Sequence, residues 1–414
     1  MVATATRWKV GVGAVALVAG AIAVGVAMAK PGDDDRVLVV DAAGAVSLLE
    51  PVSSAAAYTV SEAVPTHDRS ALLTTRAGAS GTVLETRDPQ TGEVTGSTPL
   101  DQRDLVVRTV SPRNGAVALM PGPRPEGLYT PTPRTSTTIT VAYLDDRPAR
   151  TYVFEGNLEP EMFSLDETKL FVLEFVPADA PTGYVVRVVD LATAAVTDTE
   201  SPQVELNPQM RGRARAQALH PDGTFLYTLY TVAEGNDRSA FVHVINLDEE
   251  WSFCVFLPAP VGTVNEATVG MGLAPDGSTL YVADAATSAI ARVDTAALTV
   301  ADVAIVSGFP DSGVAPSVAI ADDAVYLGST NQITELQAAG FSLVAAWSHT
   351  TAVTGLSVSE AGDVLRIAGG GRITLLDRVT RSEVGVLRAP SGTEVQLLGP
   401  PAGSVTQIPL ECAC

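Results

Sequence analysis

The chain has 414 residues, with 26 basic and 47 acidic side chains and a formal net charge of −21. That balance argues against electrostatic binding to nucleic acid or to anionic lipid. With 35 Gly, 27 Pro and little long amphipathic periodicity, the composition fits an all-β fold and not a helical one.

In chain order, the first element is the single helical candidate, in residues 1–30. Arg7 and Lys9 precede an uncharged run from Val10 to Ala29. Twenty residues at 1.5 Å rise cover ~30 Å, the thickness of a bilayer core. Ala27-Met28-Ala29 also fits a signal-peptidase site, so the segment is either an uncleaved anchor or a signal peptide. Basic residues before the run and acids after it put the rest of the chain on the extracytoplasmic side. Residues 31–35, with Asp33, Asp34 and Asp35, read as a solvated linker. They lack the alternation of a calcium loop.

From residue 36 to 408 short β-prone runs alternate with turn signals. Leu273–Val300 shows the unit. Pro275-Asp276-Gly277 makes a turn, Leu280–Val282 a strand, Asp284–Ser288 a polar loop, and Ile290–Asp294 a strand with two different faces. Similar units occupy Ser70–Ser97, Leu105–Phe154, Phe163–Glu200, Ala218–Pro258, Pro316–Ala345 and Ser357–Leu387. Their shared mark is a hydrophobic residue followed by Asp at the end of the third strand, as in Val189-Asp190, Val293-Asp294 and Leu376-Asp377. One four-stranded meander cannot bury both its faces, so like units must pack side by side. Arg36–Glu50 reads as the last two strands of a unit and Thr393–Ile408 as the first two. The two halves close a ring by sharing one blade. The expected fold is therefore a β-propeller of four-stranded blades, eight by count with seven as the alternative. Eight units give about 47 residues per blade, within the ~40–50 of propeller repeats.

The run Pro-Asp-Gly, then Tyr281-Val282-Ala283-Asp284, then Val293-Asp294 before a turn resembles the YVTN-type β-propeller repeat. The unit at Ala218 matches less fully, and the remaining units agree in spacing and strand pattern. The resemblance implies a propeller in a bacterial, extracytoplasmic setting. It implies no particular reaction, since members of that family differ in function.

Candidate sites are few. No zinc-type His pair, nucleophile elbow or Cys-x-x-Cys is present, and no cofactor is expected. His220 and His243 read as structural, while His67 and His349 fall near blade entrances. Two long loops stand out. Met120–Ser136 carries Arg124, Tyr129, Arg134 and five prolines, and Thr231–Ala240 is polar. Loops of such length in a compact domain often bind ligands. Arg211, Arg213 and Arg215 share one side at strand spacing and form a candidate cradle for a carboxylate or phosphate. The competing reading is neutralisation of nearby acids such as Glu205. In the tail, residues 409–414, Cys412 and Cys414 are candidates for a disulfide, a cross-link or a soft metal. Cys254 is expected to be a buried thiol, too far from the tail to pair with it.

The leading expectation is a monomeric binding or scaffolding propeller for a protein or glycan partner, membrane-tethered or secreted. The alternatives are a propeller enzyme of the lactonase, lyase or hydrolase kind acting on a small anion, and the heavy-chain-like subunit of a dehydrogenase.

Overall fold

The computed structural model describes residues 37–41, 45–49, 56–122, 132–201, 210–234, 237–309, 312–321, 323–389, 395–397 and 405–407. The N-terminal apolar segment and the three linker aspartates lie outside them. No helix among the described residues is long and apolar enough to cross a membrane.

The described strands form eight antiparallel sheets. Seven blades are continuous meanders, taken here as blades 2 to 8, from Val64–Pro65 at the start of blade 2 to Glu383–Arg388 at the end of blade 8. Blade 1 joins the two ends of the chain. Strands Val37–Asp41, Val46–Leu49 and Ala56–Val60 supply three members and Val395–Leu397 supplies the innermost fourth. It pairs Val39 with Leu397 and Asp41 with Val395. The buried apolar side chains fall into eight clusters, one for each junction between neighbouring blades. The last of them sets Ala368, Ile373 and Leu387 of blade 8 against Val37, Val39 and Leu49 of blade 1. Each blade buries both faces only by having two neighbours, so the ring must close to complete its core.

Closure differs from the expected two-plus-two split. The third N-terminal strand, Ala56–Val60, is an outer strand with alternating exposure. An outer strand needs few apolar residues, so it carries little hydrophobic signal. The second C-terminal strand, Val405–Gln407, does not join blade 1. It adds a fifth, innermost strand to blade 5, pairing Val405 with Ala218 and Gln407 with Ala216. Blade 5 stands opposite blade 1 in an eight-membered ring, so the two described C-terminal strands belong to opposite blades.

Burial grades outward along each blade. The first strand of blade 4, Asn157–Phe163, is buried throughout, and its fourth, Val196–Asp198, is exposed throughout. The turns of one face, between first and second and between third and fourth strands, are held by side chains. Asp222 and Asp276 accept from the backbone N–H two residues on, at 2.9 and 3.0 Å. Asp190, Asn246 and Asp294 each accept from two successive backbone N–H groups at 2.8–3.0 Å. This Asx-turn geometry is the reason for the repeating hydrophobic-Asp mark. The opposite face carries the second-to-third-strand hairpins and the blade-to-blade connections. It is called the loop face below.

Candidate functional site

Axis-side strands are packed on both faces and are expected to be apolar. Three consecutive ones break that rule at equivalent places. In blade 3 the ladder skips from Val107 to Thr109, in blade 4 from Pro160 to Met162, and in blade 5 from Ala214 to Ala216. The skipped residues are Arg108, Glu161 and Arg215. A β-bulge leaves its extra residue out of the pairing and re-aims the side chain, and bulges are frequent beside functional sites. Among the described residues, the first strands of blades 6, 7 and 8 pair without such a shift.

All three bulged side chains are buried, with relative exposures of 7%, 4% and 6%. Arg108 lies 3.5 Å from the Glu159 carboxylate, whose other oxygen accepts from Arg134 at 2.6 Å. Arg134 also donates to the Leu158 carbonyl at 2.9 Å. Glu161 accepts from the Gln217 amide of blade 5 at 3.0 Å. Arg215 donates to the Thr231 hydroxyl at 2.6 Å and lies 3.3 Å from Glu266. Glu266 is placed there by a one-turn 3-10 helix, Glu266–Thr268, capped by the Asn265 side chain. Burial pulls the Arg108 and Arg215 guanidinium groups below their ordinary range. The Glu159 and Glu266 carboxylates act in the opposite direction. Buried charges are tolerated when paired and hydrogen-bonded, and here the partners come from neighbouring blades or from the connections between them.

Of the residues singled out in the sequence, Arg134 and Arg215 take part in these contacts. Arg211 and Arg213 are exposed. The bulge at Arg215 interrupts the alternation that would put the three arginines on one side, and it turns Arg215 toward Glu266. Arg124, Tyr129, Glu205, Cys412 and Cys414 lie outside the described residues. Cys254 is a buried thiol in no disulfide among the described residues, and burial pushes it up to about 12. The premise that it lies across the ring from the tail is overturned, since Val405–Gln407 sits on the blade that holds Cys254. The histidines make local contacts. The His67 ring bonds the Val110 carbonyl at 3.0 Å, His220 meets Asp222 at 2.5 Å, and His349 meets Thr374 at 3.3 Å. No group of three or more metal-ligating side chains occurs among the described residues.

Arg108, Glu159 and Glu161 are not among the residues that the sequence pattern picks out, although a signal exists. "LVVRTV", "NLEPEMF" and "RARAQAL" each place a charge inside the first strand of a unit, where the first strands of blades 6, 7 and 8 are apolar or small.

No protein-family model and no curated protein matches the chain. Among solved structures, the chain is similar to the dihydro-heme d1 dehydrogenase NirN in complex with DHE. The identity is 11% and the TM-score 0.54, over 91% of this chain and 76% of that one. It is also similar to Kuenenia stuttgartiensis hydrazine synthase, at 13% identity and TM-score 0.44, over 83% and 95% of the two chains. At such identities the likeness shows the propeller fold alone.

Proposed function

We propose that this propeller is an extracytoplasmic binding module that engages a protein partner through the loop face of blades 5 and 6. The observation that carries the reading is a set of exposed apolar side chains on that face. Phe256 at the end of blade 5, Val264 in the connection, and Ile305 at the end of blade 6 are 57%, 58% and 62% exposed. Beside them the hairpin Phe225–Glu234 to Asp237–Asn246 has ten-residue strands, against six in blade 6. Four further residues extend it by about 13 Å. On a chain of net charge −21, grouped apolar exposure is better explained by a partner than by solubility. Aliphatic groups favour a protein over a glycan. The extracytoplasmic setting and tethering or release by residues 1–30 rest on the charge asymmetry around Val10–Ala29 and on the YVTN-like residues quoted above.

The test is affinity capture from envelope fractions of the source cells, comparing the wild type with Phe256→Glu/Ile305→Glu. Val379→Glu serves as control, at an 87% exposed site on the other face. The expected result is a partner held by the wild type and the control and lost by the double variant, with unchanged melting. Equal capture by all three removes this surface from consideration.

A second reading, a small anion at the axis, is favoured by the bulged Arg108 and Arg215. It predicts that carboxylates or inorganic phosphate raise the melting temperature of the wild type but not of Arg215→Met.

A further inference from the structure

A groove of about 680 Å³ opens between the outer parts of blades 3 and 4, toward the loop face. Phe154, Leu158 and Val196 supply its apolar surface, and Glu155, Glu174 and Asp198 its acids. The one basic residue in its lining is already engaged. Arg187 donates to Glu174 at 2.7 Å and is also paired with Asp198. The exposed Glu155 carboxylate has no hydrogen-bond or ion-pair partner among the described residues. The groove exists because blade 4 ends in a strand of three residues, Val196–Asp198, beside a third strand of eight, Gly183–Asp190. The short strand pairs only with Arg187–Val189, and toward the loop face the third strand keeps only an isolated bridge, Tyr184 with Met210. Val196 is left 43% exposed.

We infer that this groove is a second binding site, which takes an extended basic segment of a partner protein, with arginine or lysine next to an apolar residue. Charge complementarity selects the occupant, because the lining carries three carboxylates against one clamped guanidinium. A cationic side chain on Glu155 gains a charge-assisted hydrogen bond without displacing an existing pair. An apolar neighbour covers Val196, over a floor formed by the buried Phe154 and Leu158. The site is separate from the apolar patch on blades 5 and 6 and stands whether or not that patch binds.

The experiment is fluorescence anisotropy on the full chain. The probe is a blocked, labelled peptide alternating arginine and phenylalanine, and a glutamate–phenylalanine peptide of equal length is the control. Glu155→Gln weakens the arginine peptide about tenfold, the range of one charge-assisted contact. Val196→Arg, which puts a competing cation into the groove, abolishes binding while melting is unchanged. Glu360→Gln removes the same charge from an exposed site on blade 8 and binds like the wild type. Equal weakening by Glu155→Gln and Glu360→Gln shows diffuse attraction to an acidic protein and overturns the proposal. So does absence of saturable binding to the wild type. Binding that appears only after residues 123–131 are deleted makes the chain's own loop the occupant, which also overturns it.

Discussion

His243 sits mid-strand in blade 5, 1% exposed, and its Nε2 has no hydrogen-bond partner among the described residues. Thr228 and Cys254 flank it across the ladder, and the Tyr230 ring lies edge-on at 6.3 Å. Glu161 and Tyr184 belong to the same junction between blades 4 and 5, bonded to Thr228 at 3.5 Å and stacked on Tyr230 at 5.3 Å. Burial alone holds the imidazole down at about 4, from an ordinary 6.5. The unfolded chain therefore takes up this proton first as pH falls. Stability is fully present above pH ~6.5 and is lost progressively down to about pH 4. Over that window the loss approaches about 3 kcal/mol, because each pH step of one between the two values is worth ~1.4 kcal/mol. The window lies mostly above the carboxylate range, which separates this effect from general acid unfolding. Urea unfolding at pH 7 and pH 4.5 should show the loss in the wild type and a much flatter response in His243→Gln, which stays neutral throughout. Asp284 makes the contrasting case. It is fully buried, yet it accepts from Gly262 N, Thr268 Oγ1, Ala286 N and Thr287 Oγ1 at 2.7–3.0 Å. One carboxylate thereby ties the connection from blade 5 to the second hairpin of blade 6. This gives a physical reason for an Asp at the end of Tyr281-Val282-Ala283-Asp284.

At the scale of strands and blades, what a sequence makes readable depends on what each element must do. Second and third strands and their Asp-stabilised turns show plainly, because burial and Asx-turn chemistry both restrict residue choice. Outer strands such as Ala56–Val60 and Val196–Asp198 do not, because one side faces water and many residues serve. The bulges at Arg108, Glu161 and Arg215 break the two-residue period on which a strand reading depends, so three charges at equivalent places in successive blades read as scattered exceptions. Glycines in an axis strand are hard to interpret for another reason, since only the neighbour explains them. In Val269–Leu273 of blade 6, a Cβ on Gly270 falls 2.2 Å from the Pro316 carbonyl oxygen. One on Gly272 falls 2.5 Å from Ile320 Cδ1. Both glycines let the first strands of blades 6 and 7 approach closely. Gly270→Val meets backbone and not a flexible side chain, so it should cost roughly 3 kcal/mol or more. Gly270→Ala should cost less but remain measurable. Thermal melts of the two variants rank the effect, and an unchanged Gly270→Val melt contradicts the close packing.

At the scale of the ring, stability hangs on closure, because each of the eight apolar clusters lies between two blades and none lies within one. The closing contact is small for its role. Three residues, Val395–Leu397, complete blade 1 and pack toward the first strand of blade 8. The other C-terminal strand, Val405–Gln407, adds to blade 5 and touches the first strand of blade 6, but takes no part in blade 1. Two truncations should therefore behave differently. Ending the chain after Leu397 keeps the ring and frees the inner edge of blade 5, so melting should move little. Ending it after Ala389 removes the fourth strand of blade 1 and should lower melting sharply and broaden the transition as the two ends fray. A cross-link argues the converse. Val40 and Gln396 face each other across the closing ladder, so Val40→Cys/Gln396→Cys closes a loop of most of the chain. Loop entropy sets an upper bound of about 6 kcal/mol on the gain. Non-reducing electrophoresis after the native cysteines are replaced shows whether the bond forms. Melting with and without reductant then reads its effect. A bond that forms and raises melting fits closure at this seam, whereas two thiols that stay reduced under oxidising conditions place the termini apart and leave blade 1 open.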